Sequence, residues 1–267
     1  MAVITKQQSM SSHWYTPNGR AAHKQPKANG DGDRSTTIRD ARKLKLLPSV
    51  TNVLGVLSKG GLLNWQLHQV GLAAHANRPT EGESADYYAK RMVAKSKEST
   101  DEAADMGSKI HKAIEDFYDG NEVAENMMPF VQPITTWQES KGLSFIEREV
   151  ILANVERGYA GMCDVVGLGA DNQMFIIDWK TRKTDPKKKI KSYETEVLQV
   201  AAYAATRWGE QAVMDRKVHG ANVYVSRNEV GRVEVRAWKP EEIFGAYQTF
   251  LNCCHIWRYV KGYDPRS

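Results

Sequence analysis

Three residues carry the clearest chemical signal in the chain: Asp164, Asp178 and Lys180. Asp164 closes the stretch Gly158-Tyr159-Ala160-Gly161-Met162-Cys163-Asp164, and the other two lie in Phe175-Ile176-Ile177-Asp178-Trp179-Lys180-Thr181. Asp178 and Lys180 are two apart, so in a strand both leave the same face, while Ile177 and Trp179 point the other way. Residues 159–168 and 173–179 are short apolar runs with Asp171-Asn172 between them, which predicts a hairpin. Its short turn lets Asp164 and Asp178 lie opposite each other. Two carboxylates can hold a divalent cation, which polarises a phosphate and lowers the pKa of a bound water; a lysine can orient that water or stabilise charge developing on phosphorus. That combination suits phosphodiester hydrolysis, and hard oxygen ligands favour Mg²⁺ or Mn²⁺ over zinc. Alone, Asp-x-Lys is more often a plain salt bridge, so the flanking elements decide.

The β-branched alternation of residues 143–155 predicts the strand before the hairpin, with Glu147 and Glu149 on one face of it. Upstream, a helical pattern follows Pro48 and contains Val53, Leu54 and Leu57, until Gly60-Gly61 interrupts it. A second helix is expected from Leu62 to Ala76. A third runs from about Ala85 to Tyr118, with a break near Ser99-Thr100 and an end at Gly120-Asn121. Downstream come a helix from Glu194 to Trp208, strands near 218–225 and 231–238, and a last helix opened by Pro240-Glu241-Glu242. This order predicts an α/β fold, a mixed central sheet flanked by helices, behind a helical N-terminal part. Three regions follow: a flexible polar tail over 1–37, whose Trp14 and Tyr15 dock on the body of the protein, a helical part over 38–142, and a core over 143–267. The tail is rich in Gly, Asn and Lys and buries too little apolar surface to offset its ordering entropy.

Two further segments complete a set. Gly107-Ser108-Lys109-Ile110-His111-Lys112-Ala113-Ile114-Glu115 lies on the third helix, and Leu198-Gln199-Val200-Ala201-Ala202-Tyr203 on the helix after the hairpin. Read alone, His111 with Glu115 is a surface pair, Tyr203 a core residue and Gln199 a helix-surface residue. In order, G-x-x-x-H-x-x-x-E, G-x-x-D, D-W-K-T and Q-x-x-x-Y resemble the RecB-like branch of the PD-(D/E)XK nuclease superfamily, in particular phage exonucleases and mitochondrial genome maintenance exonucleases. The resemblance covers roughly Leu46 to Trp208; Pro48-Ser49-Val50-Thr51 and Asn64-Trp65 are similar to the start of those proteins too. It implies a restriction-endonuclease-like core. It also implies metal ligation by Asp164, Asp178 and the Trp179 carbonyl, with His111 facing the metal. Lys180 would be the catalytic lysine, with Gln199 and Tyr203 positioning substrate or the lysine's strand. A first-strand glutamate is also implied: Glu147 or Glu149, with Glu147 preferred.

Arg182, Lys183, Lys187, Lys188, Lys189 and Lys191 follow the lysine directly. A lysine run is usually a solvated loop, but one leaving a metal site suits tracking of a phosphate backbone. Ser49 and Thr51 are further candidate phosphate donors. The 267 residues carry a net charge of +5, compatible with a polyanionic partner and weak evidence alone. Three cysteines, Cys163, Cys253 and Cys254, argue against a disulfide framework and cannot supply the four thiolates of an iron–sulfur cluster. No apolar run reaches membrane-span length. The expectation is a cytoplasmic DNA exonuclease of replication, recombination or repair, acting on single strands or DNA ends, with a recombination or replication protein as a possible partner. The alternatives are a non-sequence-specific endonuclease and an inactive nuclease-like DNA-binding module.

Overall fold

A computed structural model of the chain describes residues 13–57 and 60–266. Along the chain come β1 (Trp14–Tyr15), β2 (Lys24–Pro26), β3 (Asp33–Ser35), α1 (Ile38–Leu44), β4 (Leu47–Pro48), α2 (Val50–Val53), α3 (Gly60–Ala76), α4 (Ala85–Tyr118) and α5 (Met128–Ser140). Then follow β5 (Ser144–Asn154), β6 (Tyr159–Leu168), β7 (Met174–Arg182), α6 (Glu194–Trp208), α7 (Glu210–Met214), β8 (Val218–Ser226), β9 (Val233–Trp238) and α8 (Pro240–Lys261).

The centre is a mixed five-stranded sheet in the order β5-β6-β7-β8-β9. Only β7 and β8 pair in parallel, because α6 and α7 carry the chain back between them; the other neighbours are antiparallel. Helices cover both faces. Ile176, Val200, Ala201, Ile243 and Phe250 belong to the core that joins the sheet to α6 and α8. Ile177, Trp179 and Val223 pack with Ile110 and Ile114 of α4 and Phe130 and Ile134 of α5 on the other face. Each fully buried aliphatic side chain stabilises by roughly 1.5–3 kcal/mol. The expected mixed sheet flanked by helices is therefore present. Among the described residues no helix is long and apolar enough to cross a membrane.

Three expectations change. The N-terminal stretch is not loose from residue 13 on: β1 pairs with β4, β2 pairs with β3, and Trp14 and Tyr15 are buried. The stability of that region comes from long-range pairing that local composition does not reveal. Residues 1–12 lie outside the described residues. The break near Ser99-Thr100 is absent: α4 is continuous for 34 residues and is capped by Ser84, whose side chain accepts from the Tyr87 N–H. Ala, Lys, Glu and Met around Ser99 are strong helix formers, and two mild residues do not stop them. Finally, α5 is an additional helix. Pro129 in its first turn and Pro133 inside it mask the pattern, yet Phe130, Val131 and Ile134 are buried.

Candidate metal centre

Register across the sheet aligns the polar residues of interest. Arg148 pairs with Val165 and Val150 with Cys163, which sets Glu149 opposite Asp164. The β6–β7 ladder ends at the Val165–Ile177 pair, so Asp164 and Asp178 face each other at the next step. Asp178 pairs with Asn222 of β8. Glu149, Asp164, Asp178 and Asn222 thus form one row across four strands. The regular ladder fails at its β5 end: the register shifts between Phe145 and Glu147, and Glu149 has φ 45°. A positive φ at a non-glycine residue stores strain, and here it re-aims a side chain.

Helix α4 completes the cluster from above the row. Ile110, Ala113 and Ile114 anchor it in the core. One turn before His111 it meets β7 closely, since a Cβ on Gly107 would lie 2.8 Å from Thr181 Oγ1. The result is that His111, Glu149 and Asp164 bring ligand atoms within 4.8 Å of one another. Asp178 has other partners. Its Oδ2 lies 2.5 Å from Lys180 Nζ and accepts from Asn222 Nδ2 at 2.8 Å. Trp179 donates its N–H to Asp164 Oδ2 at 2.7 Å.

The electrostatics favour a cation at the triad. Burial, then the nearby carboxylates of Glu115 and Asp178, raise the Glu149 pKa to about 7. Burial and Asp178 push Asp164 well above the carboxylate range. Burial lowers His111, against the pull of Asp178, so its imidazole is neutral and offers a lone pair. Two half-buried carboxylates and a neutral imidazole, short of positive charge, fit a divalent metal ion.

Lys180 sits one step along. Burial opposes its charge, but Asp178 and Asp164 outweigh burial and hold its pKa above the usual lysine range. Its Nζ donates to Gln199 Oε1 at 3.2 Å, and Gln199 Nε2 donates to Tyr203 Oη at 3.4 Å. Tyr203 reaches this position because residue 161 is glycine: a Cβ there would lie 2.7 Å from the tyrosine oxygen. Burial raises the Tyr203 pKa far above its ordinary value, so the phenol stays protonated.

The other residues singled out in the sequence are placed as follows. Glu147 is not in the cluster; it accepts from Arg207 Nε at 2.9 Å, while Glu149, two residues on, has the positive φ. Asp178 is not one of the three residues whose ligand atoms cluster, and without a metal it is held by Lys180 and Asn222. Arg182 is ion-paired with Glu196 and lies over the rings of Tyr193 and Tyr224. Ser49 is buried, and its hydroxyl caps α2 by accepting from the Asn52 N–H at 3.0 Å. Thr51, Lys183, Lys187, Lys188, Lys189 and Lys191 are exposed, with Lys188 3.1 Å from Asp185. Asn222 was missed, although a lone amide within the apolar run Val218–Ser226 was a legible signal of a buried polar partner.

No family model matches the chain, and no curated protein matches it. A solved structure described as "Crystal structure of SSO0001" is similar over 72% of this chain and 86% of that chain, with 14% identity and a TM-score of 0.29. A likeness that loose carries no argument about fold or activity.

Proposed function

We propose that the chain is a Mg²⁺- or Mn²⁺-dependent deoxyribonuclease of the RecB-like PD-(D/E)XK kind, with a restriction-endonuclease-like core. The observation that carries this reading is the row Glu149–Asp164–Asp178 with Lys180 beside it and His111 above it.

His111, Glu149 and Asp164 would hold the cation, and a substrate phosphate would bring Asp178 into play. Bound there, the metal would supply Lewis-acid polarisation of a phosphoryl oxygen and a lowered pKa for the attacking water. Lys180 carries three N–H donors, of which Asp178 and Gln199 take two. The third can orient the water or meet the charge that develops on the phosphoryl oxygens. Gln199, backed by Tyr203, sets the direction of that third donor. The exposed lysines after β7 provide a landing surface for the strand. Attack from a DNA end, and a cytoplasmic role in replication, recombination or repair, rest on the resemblance in the motifs.

The test is digestion of end-labelled linear and circular single strands with Mg²⁺, and again with EDTA. Progressive shortening of linear strands, uncut circles and silence in EDTA are expected. Circles cut as fast as linear strands would make the protein an endonuclease, and binding without cleavage on any substrate would make it an inactive module.

A further inference from the structure

The loop after β7 and the turn between β8 and β9 are tied into one unit. Arg232 donates from Nη1 to the Asp185 carbonyl at 2.9 Å and from Nη2 to the Lys188 carbonyl at 2.6 Å. Glu229 and Glu234 hold the same guanidinium. Glu234 Oε2 also accepts the Ile190 N–H at 2.9 Å. Asn228 grips Thr184 twice, accepting its N–H at 2.7 Å and donating to its carbonyl at 3.0 Å. A run of like charges would otherwise splay in solvent; these anchors hold the backbone while the lysine ammonium groups stay exposed.

Arg227 stands in the same turn. Its backbone N–H donates to the Arg182 carbonyl at 2.8 Å, which fixes its position. Its guanidinium makes no ion pair or hydrogen bond among the described residues, and its Nε is sealed from solvent without an acceptor. The neighbouring Arg182 has its counter-charge in Glu196; Arg227 has none. Burial, then the Arg182 charge, lower the Arg227 pKa from its ordinary value. A half-buried guanidinium with unmet donors is answered best by an anion with several acceptor oxygens, which a phosphate presents in matching geometry.

We propose that Arg227 is a phosphate-binding residue, and that with Lys183 and the loop lysines it forms a preformed seat for the backbone of a nucleic-acid strand. The nucleic-acid part rests on the nuclease reading; the phosphate site does not. Arg182 pairs with Ser226, so Arg227 lies five residues beyond Asn222 and the carboxylate row. At about 3.3 Å per residue that is roughly 16 Å along the strand, so the phosphate held there is not the one cut.

The experiment compares wild type, Arg227→Ala and Arg227→Lys. Melting temperature is read with and without inorganic phosphate, and single-stranded oligonucleotide binding is read against salt concentration in EDTA. Phosphate should raise the melting temperature of the wild type but not of Arg227→Ala. Oligonucleotide affinity should fall about tenfold in Arg227→Ala. The slope of log affinity against log salt should shrink by about 0.7, the value of one single-strand phosphate contact. Arg227→Lys should recover the slope and only part of the affinity, which separates a charge contact from a folding defect. Unchanged affinity and slope in a folded Arg227→Ala would overturn the site while leaving the nuclease reading intact. Phosphate stabilisation through Arg227 with no oligonucleotide binding by the wild type would overturn the nucleic-acid assignment instead.

Discussion

Asp164 and Asp178 are the same residue type, one strand apart in one row, and their surroundings differ in charge. Asp178 is buried, but Lys180 and Asn222 meet its Oδ2 directly. Trp238 Nε1 in turn donates to Asn222 Oδ1 at 2.7 Å, so that end of the row is braced by hydrogen bonds. Asp164 has one backbone N–H and otherwise faces Glu149 and a neutral His111. The cost of gathering charge is met by direct contacts at one end and only in part, through the Lys180 charge, at the other. On the proposed reading a cation would sit at the Asp164 end, with the lysine held beside it at the Asp178 end.

The largest expected effect comes from removing a member of the unmet end. Asp164→Asn and Glu149→Gln should each cost on the order of 10³-fold in cleavage rate, the scale of several kcal/mol of lost charge stabilisation. Glu147→Gln should cost less than about threefold, a surface ion pair being worth little. Steady-state cleavage of a labelled strand decides, and a reversal of the two glutamates would make Glu147 the ligand.

At the braced end, Asn222→Ala leaves Asp178 with one partner fewer. A supporting residue of this kind typically accounts for about 10- to 100-fold in activity. The loss should appear in kcat with oligonucleotide affinity little changed; an equal loss of binding would mean that Asn222 acts on the fold and not on Asp178.

The two ends should also differ with pH. Glu149 is raised to about 7 from 4.5, and Asp164 is raised too. The metal-free folded state thus keeps protons that the unfolded chain has already lost. That contribution to stability is complete below the ordinary carboxylate range and disappears as pH rises through about 7. A cation has to displace these protons, so its affinity should rise by up to about tenfold per pH unit for each proton displaced. The melting-temperature gain from Mn²⁺ should be larger above pH 7 than below it; equal gains would contradict the crowding.

The smallest effect concerns the support behind Lys180. Gly161→Ala puts a methyl group against the Tyr203 oxygen and should destabilise by about 1–3 kcal/mol, read by denaturant unfolding. A neutral result would mean that Tyr203 moves aside freely.

Much of this was legible in the sequence for physical reasons that can be named. Period-two alternation and the Asp171-Asn172 turn revealed the hairpin, which sets Asp164 by Asp178 and Lys180. Helical spacing put Gln199 and Tyr203 on one face of α6. What escaped was set by distant partners. The choice between Glu147 and Glu149 turns on a positive φ and on Arg207, sixty residues away. Arg182 read as a free cation because Glu196 reaches it only once α6 has packed on β7. Arg227 carried no signal at all, since a missing partner shows only in three dimensions.

The most direct test of the central assignment is pulsed electron paramagnetic resonance of Mn²⁺ bound to the wild type and to His111→Gln. The expected result is a modulation from one directly bound imidazole nitrogen in the wild type, absent from His111→Gln. Tightly bound Mn²⁺ without nitrogen modulation in the wild type would contradict the triad and move the cation away from α4.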